Sequence, residues 1–144
     1  MASVRKSALV PFSAARMYNL VNDVESYPSF LPWCGHAELL SRNRDCLCGR
    51  IEVRRAGIHQ WFTTCNHLVE NERIDIRLEE GPFRKLEGDW VFTSLGAQAC
   101  KVELALEFEF AGKLISAAFG PVFNHVASTL VDAFVKRAKE LYGG

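Results

Sequence analysis

The chain has 144 residues, 49 % of them hydrophobic, which is the size of one domain able to bury a core with apolar surface to spare. Seventeen Lys and Arg balance seventeen Asp and Glu. That balance excludes a whole-chain field drawing the protein to nucleic acid or anionic lipid, so such a partner needs a local patch.

In the N-terminal run MASVRKSALVPFSAARMY, Pro11 and Ser13 cut the apolar stretch short of a signal-peptide core. The expected location is therefore cytoplasmic, at most peripheral to the inner membrane. Five cysteines, an odd number, without an export signal predict reduced thiols rather than a disulfide framework.

A first strand is expected over 4–10. Ser13 then suits the N-cap of a short helix, SAARMYNLVNDV, in which Met17, Leu20, Val21 and Val24 recur at helical spacing. The stretch YPSFLPWCGH follows. Pro28 and Pro32 stiffen an apolar connection into a second strand at 37–41, with Tyr27, Phe30, Leu31 and Trp33 capping one end of the core.

From there period-two alternation dominates, putting every second side chain on one face of a half-buried strand. CKVELALEFEFAG is the clearest case: Val102, Leu104, Leu106, Phe108 and Phe110 share one face, and Lys101, Glu103, Glu107 and Glu109 the other. RIDIRLE and CLCGRIEVRR alternate likewise. IHQWFTTCNHLV and RKLEGDWVFTSL are rich in aromatic and β-branched residues, with turn signals near 42, 55, 70, 80 and 95. Gly88 suggests a bulge or bend. The expectation is about seven strands in an antiparallel meander.

The last segment places Phe119, Val122, Phe123, Val126, Leu130, Phe134 and Leu141 on one helical stripe. Pro121 predicts that the main helix starts at Gly120 and Pro121 or kinks there. Asn124, His125, Ser128, Thr129 and Asp132 interrupt the apolar run short of the roughly 18 to 20 residues of a membrane span. A curved sheet around one long helix leaves a pocket between them, where ligands bind.

Cys34, His36 and Glu38 share one strand face. Neighbours two apart on a strand lie about 6.6 Å from each other, too far for a nucleophile and its base, so no catalytic residue is assigned. Cys46, Cys48, Cys65, His67 and His59 form C-x-C and C-x-H pairs, not zinc-knuckle spacing, so no metal site is assigned. Arg42, Arg44, Arg50, Arg54, Arg55, Arg73, Arg77, Arg84 and Lys85 read as a solvated outer face paired with Glu52, Asp75 and Glu79, with a phosphate-binding face as the other reading.

VNDVESYPSFLPWC, GPFRKLEGDWVF and the tail FGPVFNHVASTLVDAFVKRAKELYG, in that order, resemble the coenzyme Q-binding START-like family. That family includes mitochondrial quinone-binding proteins and bacterial ribosome-association toxins. The resemblance implies an α+β helix-grip fold over 1–144 as one domain, needing no cofactor for chemistry and binding a hydrophobic molecule such as ubiquinone. It equally implies the toxin activity, association with the large ribosomal subunit that blocks subunit joining. On the helix-grip frame, the expected ligand contacts are Trp33, Trp90, Phe92, Leu104, Phe108, Phe123 and Leu130. The expected cavity lip is Tyr27, Pro28, Phe30, Leu31 and Pro32, facing Leu114, Ile115 and Phe119, where exposed apolar residues meet a membrane surface.

Overall fold

Among residues 2–143, which this computed structural model describes, the period-two runs form seven strands. The order is β1 (Ala2–Val10), α1 (Ala14–Asn22), a 3₁₀ turn (Val24–Ser29), β2 (Cys34–Arg42), β3 (Cys46–Arg55), β4 (Ile58–Val69), β5 (Arg73–Glu80), β6 (Phe83–Gly96), β7 (Ala99–Phe110) and α2 (Lys113–Tyr142). One antiparallel sheet runs β1-β7-β6-β5-β4-β3-β2, so β2 to β7 are a meander and β1 adds beside β7. The fold is an α+β helix grip, a curved sheet closed by one long helix.

Local chemistry sets the turns. Ala56 and Gly57 both take positive φ in the tight turn from β3 to β4, as a two-residue hairpin of matching twist requires, and Asn71 does so between β4 and β5. Ser13 caps α1, its Oγ accepting from the Arg16 amide at 3.2 Å. On β7, Val102, Leu104, Leu106 and Phe108 are buried on the inner face, as their alternation predicts.

Three expectations are corrected. Gly88 is not a bulge: the irregularities of β6 lie between Phe83 and Lys85 and between Ser94 and Gly96. Glycine stands there because any Cβ would overlap the Ala105 carbonyl of β7. The long helix does not start at Gly120 and Pro121 but runs from Lys113 to Tyr142 with Pro121 inside it. The amide that Pro121 lacks would have bonded the carbonyl of Ala117, an exposed residue whose carbonyl water can satisfy. Cys48 and Cys65 are joined in a disulfide, because the β3–β4 register sets them directly opposite with Cα atoms 4.1 Å apart. Cys34 and Cys100 are free and buried, and Cys46 is free and half-buried.

By length and composition α2 also reaches the level of a membrane span, since its uncharged polar residues interrupt the run without adding enough charge to disqualify it. Phe119, Phe123, Val126, Val131 and Phe134 nonetheless lie buried in the fold.

Candidate functional site: a cavity between sheet and helix

A cavity of about 90 Å³ lies between the inner face of the sheet and α2. On α2 its wall is Phe123, Val126, Leu130 and Phe134, so it follows the helix for about 16 Å at 1.5 Å per residue. Such a length at so small a volume makes it a slot. The sheet contributes Leu47 and Ile51 from β3, Phe62, Thr64 and Asn66 from β4, Ile74 and Ile76 from β5, Leu86 and Trp90 from β6, and Leu106 from β7. Val21, Asn22, Val24, Tyr27 and Trp33 close it from α1 and the segment that follows.

Aromatic rings seal the slot near Phe134. Tyr27, Phe30 and Trp90 all meet that ring edge-on, at 5.5, 5.3 and 5.4 Å. The Tyr27 hydroxyl donates to the Val21 carbonyl, and burial raises its pKa, so it stays a neutral donor. Arg137 covers Phe30 from outside, 5.2 Å from its centroid. Near Phe123, rings of Phe62, Phe83, Phe108, Phe110 and Phe119 pack around it at 4.8 to 6.1 Å.

Of the residues expected at the ligand, Trp33, Trp90, Phe123 and Leu130 line the slot. Phe92, Leu104 and Phe108 do not. Phe92 stacks parallel to Trp90 and takes the edge of Tyr18, Leu104 is packed in the core, and Phe108 stands edge-on to Phe123 at 4.9 Å. Of the lip residues, Tyr27 and Leu31 are buried, Phe30 is half-buried, and Pro28 and Pro32 are exposed. Leu114 is 87 % exposed and Ile115 half-buried, whereas Phe119 is a core residue wedged against Phe83 and Phe110.

Sequence reasoning missed the polar members of the wall. Asn22 is only 3 % exposed, and its Nδ2 has no hydrogen-bond partner; Asn66 Oδ1 is likewise buried without one. Burial raises the pKa of Tyr18 and the neighbouring Asn22 amide lowers it, yet Nδ2 completes no hydrogen bond. Two residues with an unpartnered amide atom, Asn22 and Asn66, thus line the slot beside Thr64 in a largely apolar wall. The inner-face alternation Phe62, Thr64, Asn66 was the available signal.

The groups weighed for chemistry do not converge. The Cys34 thiol donates to the backbone carbonyl of His36 at 3.4 Å, and burial, then the charge of Glu52, pushes its pKa up to about 11, leaving no thiolate at neutral pH. The His36 ring lies against Trp61, 5.7 Å away. Among the described residues no three His, Cys, Asp or Glu side chains gather as metal ligands. The outer-face pairing also differs from expectation: Arg73 binds Asp75 and Asp89, while Glu52 is held by His59 instead of an arginine.

A family model described as polyketide cyclase / dehydrase and lipid transport matches residues 10–135. The chain belongs to that family. Within it, the chain is 48 % identical over 143 residues to the ribosome association toxin RatA of Vibrio cholerae, covering 99 % of both chains. It is 28 % identical to the mitochondrial coenzyme Q-binding protein COQ10 homolog B of Xenopus laevis, covering 96 % of this chain and 58 % of that one. Among solved structures, TTHA0849 of Thermus thermophilus superposes with a TM-score of 0.83 at 20 % identity, covering 98 % of this chain and 99 % of that one. The two family relatives carry names of a toxin and a binding protein, while the family description includes cyclases.

Proposed function

We propose that this chain is a binding protein that associates with the large ribosomal subunit and blocks its joining to the small one, with no chemistry of its own, in the cytoplasm. The observation that carries this reading is similarity end to end, at 48 % identity, to a relative named for ribosome association. The test is sedimentation of purified subunits through a sucrose gradient at the magnesium concentration where they join. Added protein should travel with the large subunit and convert the joined peak into separate subunits. An unchanged joined peak, with the protein left at the top of the gradient, would overturn the reading.

A second reading, retention of a hydrophobic molecule such as ubiquinone, is favoured by the largely apolar slot, whose wall includes Asn22 and Asn66. At about 90 Å³ the slot is narrower than the roughly 300 to 1,000 Å³ of ordinary ligand pockets, so binding requires its wall to move outward. On this reading the exposed Leu114 touches the membrane surface from which the ligand comes. Organic extraction and mass spectrometry of protein from a quinone-producing host decides it: a stoichiometric quinone supports retention, and its absence overturns it.

A further inference from the structure

The outer face of the sheet divides into two halves of different chemistry. On β5 to β7 the cations are largely neutralised: Arg73 by Asp75 and Asp89 at 2.7 and 2.8 Å, Arg84 by Glu109 at 3.1 Å, and Lys85 by Glu87 and Glu107 at 3.2 Å. On β2 to β4 and their turns, Arg42, Arg44, Arg50 and Arg54 are exposed and make no ion pair among the described residues, while Arg55 lies on the α2 side. Exposed carboxylates on the same elements and turns are Glu38, which stands directly opposite Arg50, Asp45, and Glu70 and Glu72 after β4. Glu52, 6 % exposed, is withdrawn beneath Gly35 and bonded to His59.

Trp61 stands at the centre of this half. Trp33 and Trp90 are buried, whereas Trp61 is only partly covered. The Arg50 guanidinium lies 4.7 Å from its centroid, with the His36 and His59 rings at 5.7 and 6.3 Å. A groove of about 320 Å³ runs alongside, between Arg50, His59 and Trp61 and the turn at Gly81, with the exposed Glu80 also lining it. An open aromatic platform with a stacked guanidinium, beside an exposed arginine that forms no ion pair among the described residues, suits bases that stack and phosphates that need cations. A protein partner would call for a larger apolar centre than one indole ring.

We propose that this patch binds single-stranded RNA, one base stacking on the Trp61–Arg50 pair and a neighbouring phosphate meeting Arg54. The proposal deepens the ribosome-association reading by naming the surface that meets ribosomal RNA, and it depends on that reading only for the RNA's source.

The experiment has two arms. In the first, fluorescein-labelled (U)12 is titrated with the parent protein and with Trp61→Leu, Arg50→Ala and Lys101→Ala, following anisotropy. The loss of one stacked base corresponds to about 5- to 150-fold, so Trp61→Leu should weaken binding by at least about fivefold. Arg50→Ala, which removes the guanidinium of the stacking pair, should weaken it as well. Lys101→Ala, on the other half, should match the parent. In the second arm the same proteins are pelleted with purified large subunits, and the losses should run in parallel. Near-UV circular dichroism checks that the variants fold.

Equal (U)12 affinity in Trp61→Leu and parent, or no binding by the parent, overturns the proposal. Loss on subunits without any (U)12 binding also overturns it and makes the partner a ribosomal protein. Binding of (U)12 at Trp61 by a parent that ignores large subunits supports the RNA site and sinks the ribosome-association reading alone.

Discussion

Asn22, the last residue of α1, and Asn66, in β4, line one cavity, and each has a buried polar atom without a partner, Nδ2 of the first and Oδ1 of the second. The remainder of the wall is largely aliphatic and aromatic, so the wall offers these amides little compensation for their desolvation.

A buried donor left unsatisfied costs about 1 to 3 kcal/mol, and an apolar side chain of similar shape removes the cost. Asn22→Leu is therefore expected to raise stability by about 1 kcal/mol, read as a higher urea midpoint at unchanged slope. The same change should weaken retention of any ligand with a polar head. A lower midpoint would mean that the amide already has a partner, such as ordered water.

Leu130 lines the slot on α2 between Val126 and Phe134 and is only half-buried. Leu130→Asp puts a charge into the apolar wall while leaving it a path to water. The expected cost in stability is about 1 to 3 kcal/mol. Co-purified hydrophobic molecules should disappear from mass spectra of the extracted protein. Retention equal to the parent's would move the ligand site away from the helix.

Gly88 pairs with Ile76 on one side and Leu106 on the other, and the Ala105 carbonyl fills the space where a Cβ would go. Backbone cannot retreat as a flexible side chain can. Gly88→Ala should force β6 and β7 apart at a cost of about 3 kcal/mol or more, at the upper end of overpacking. The measurement is the urea midpoint, and a change under about 0.5 kcal/mol, the size of an ordinary surface effect, would show that the strands adjust freely.

The strands were legible because alternation is a local signal: Val102, Leu104, Leu106 and Phe108 could face inward only together. Which of them reaches empty space is a matter of depth, set by what arrives from other elements. Leu106 meets the slot while Leu104 and Phe108 are packed over, so the expected ligand list mixes cavity wall with solid core. Cys48 and Cys65 are 17 residues apart, and only the β3–β4 register makes them neighbours. Asn22 and Asn66 were passed over for the same reason. A polar residue at the end of a helix or within a strand reads as solvated until the opposing surface is known.

Cys34 offers a test of the non-catalytic reading through pH. Burial, followed by the charge of Glu52, pushes its thiol up to about 11, and burial moves Cys100 in the same direction. In the unfolded chain a cysteine titrates near 8.5. Between those values the unfolded chain releases a proton that the folded chain keeps, so the native state binds more protons and stability falls as pH rises. The contribution is fully present below about 8.5 and is lost as pH climbs through 11. Urea midpoints measured from pH 7.5 to 10 should therefore fall more steeply for the parent than for Cys34→Ser, which should otherwise behave as the parent does. Iodoacetamide at pH 7.5 should label Cys46 and spare Cys34 and Cys100, read by peptide mapping. Rapid labelling of Cys34 at that pH would reveal a thiolate, and a nucleophilic role would have to be reconsidered.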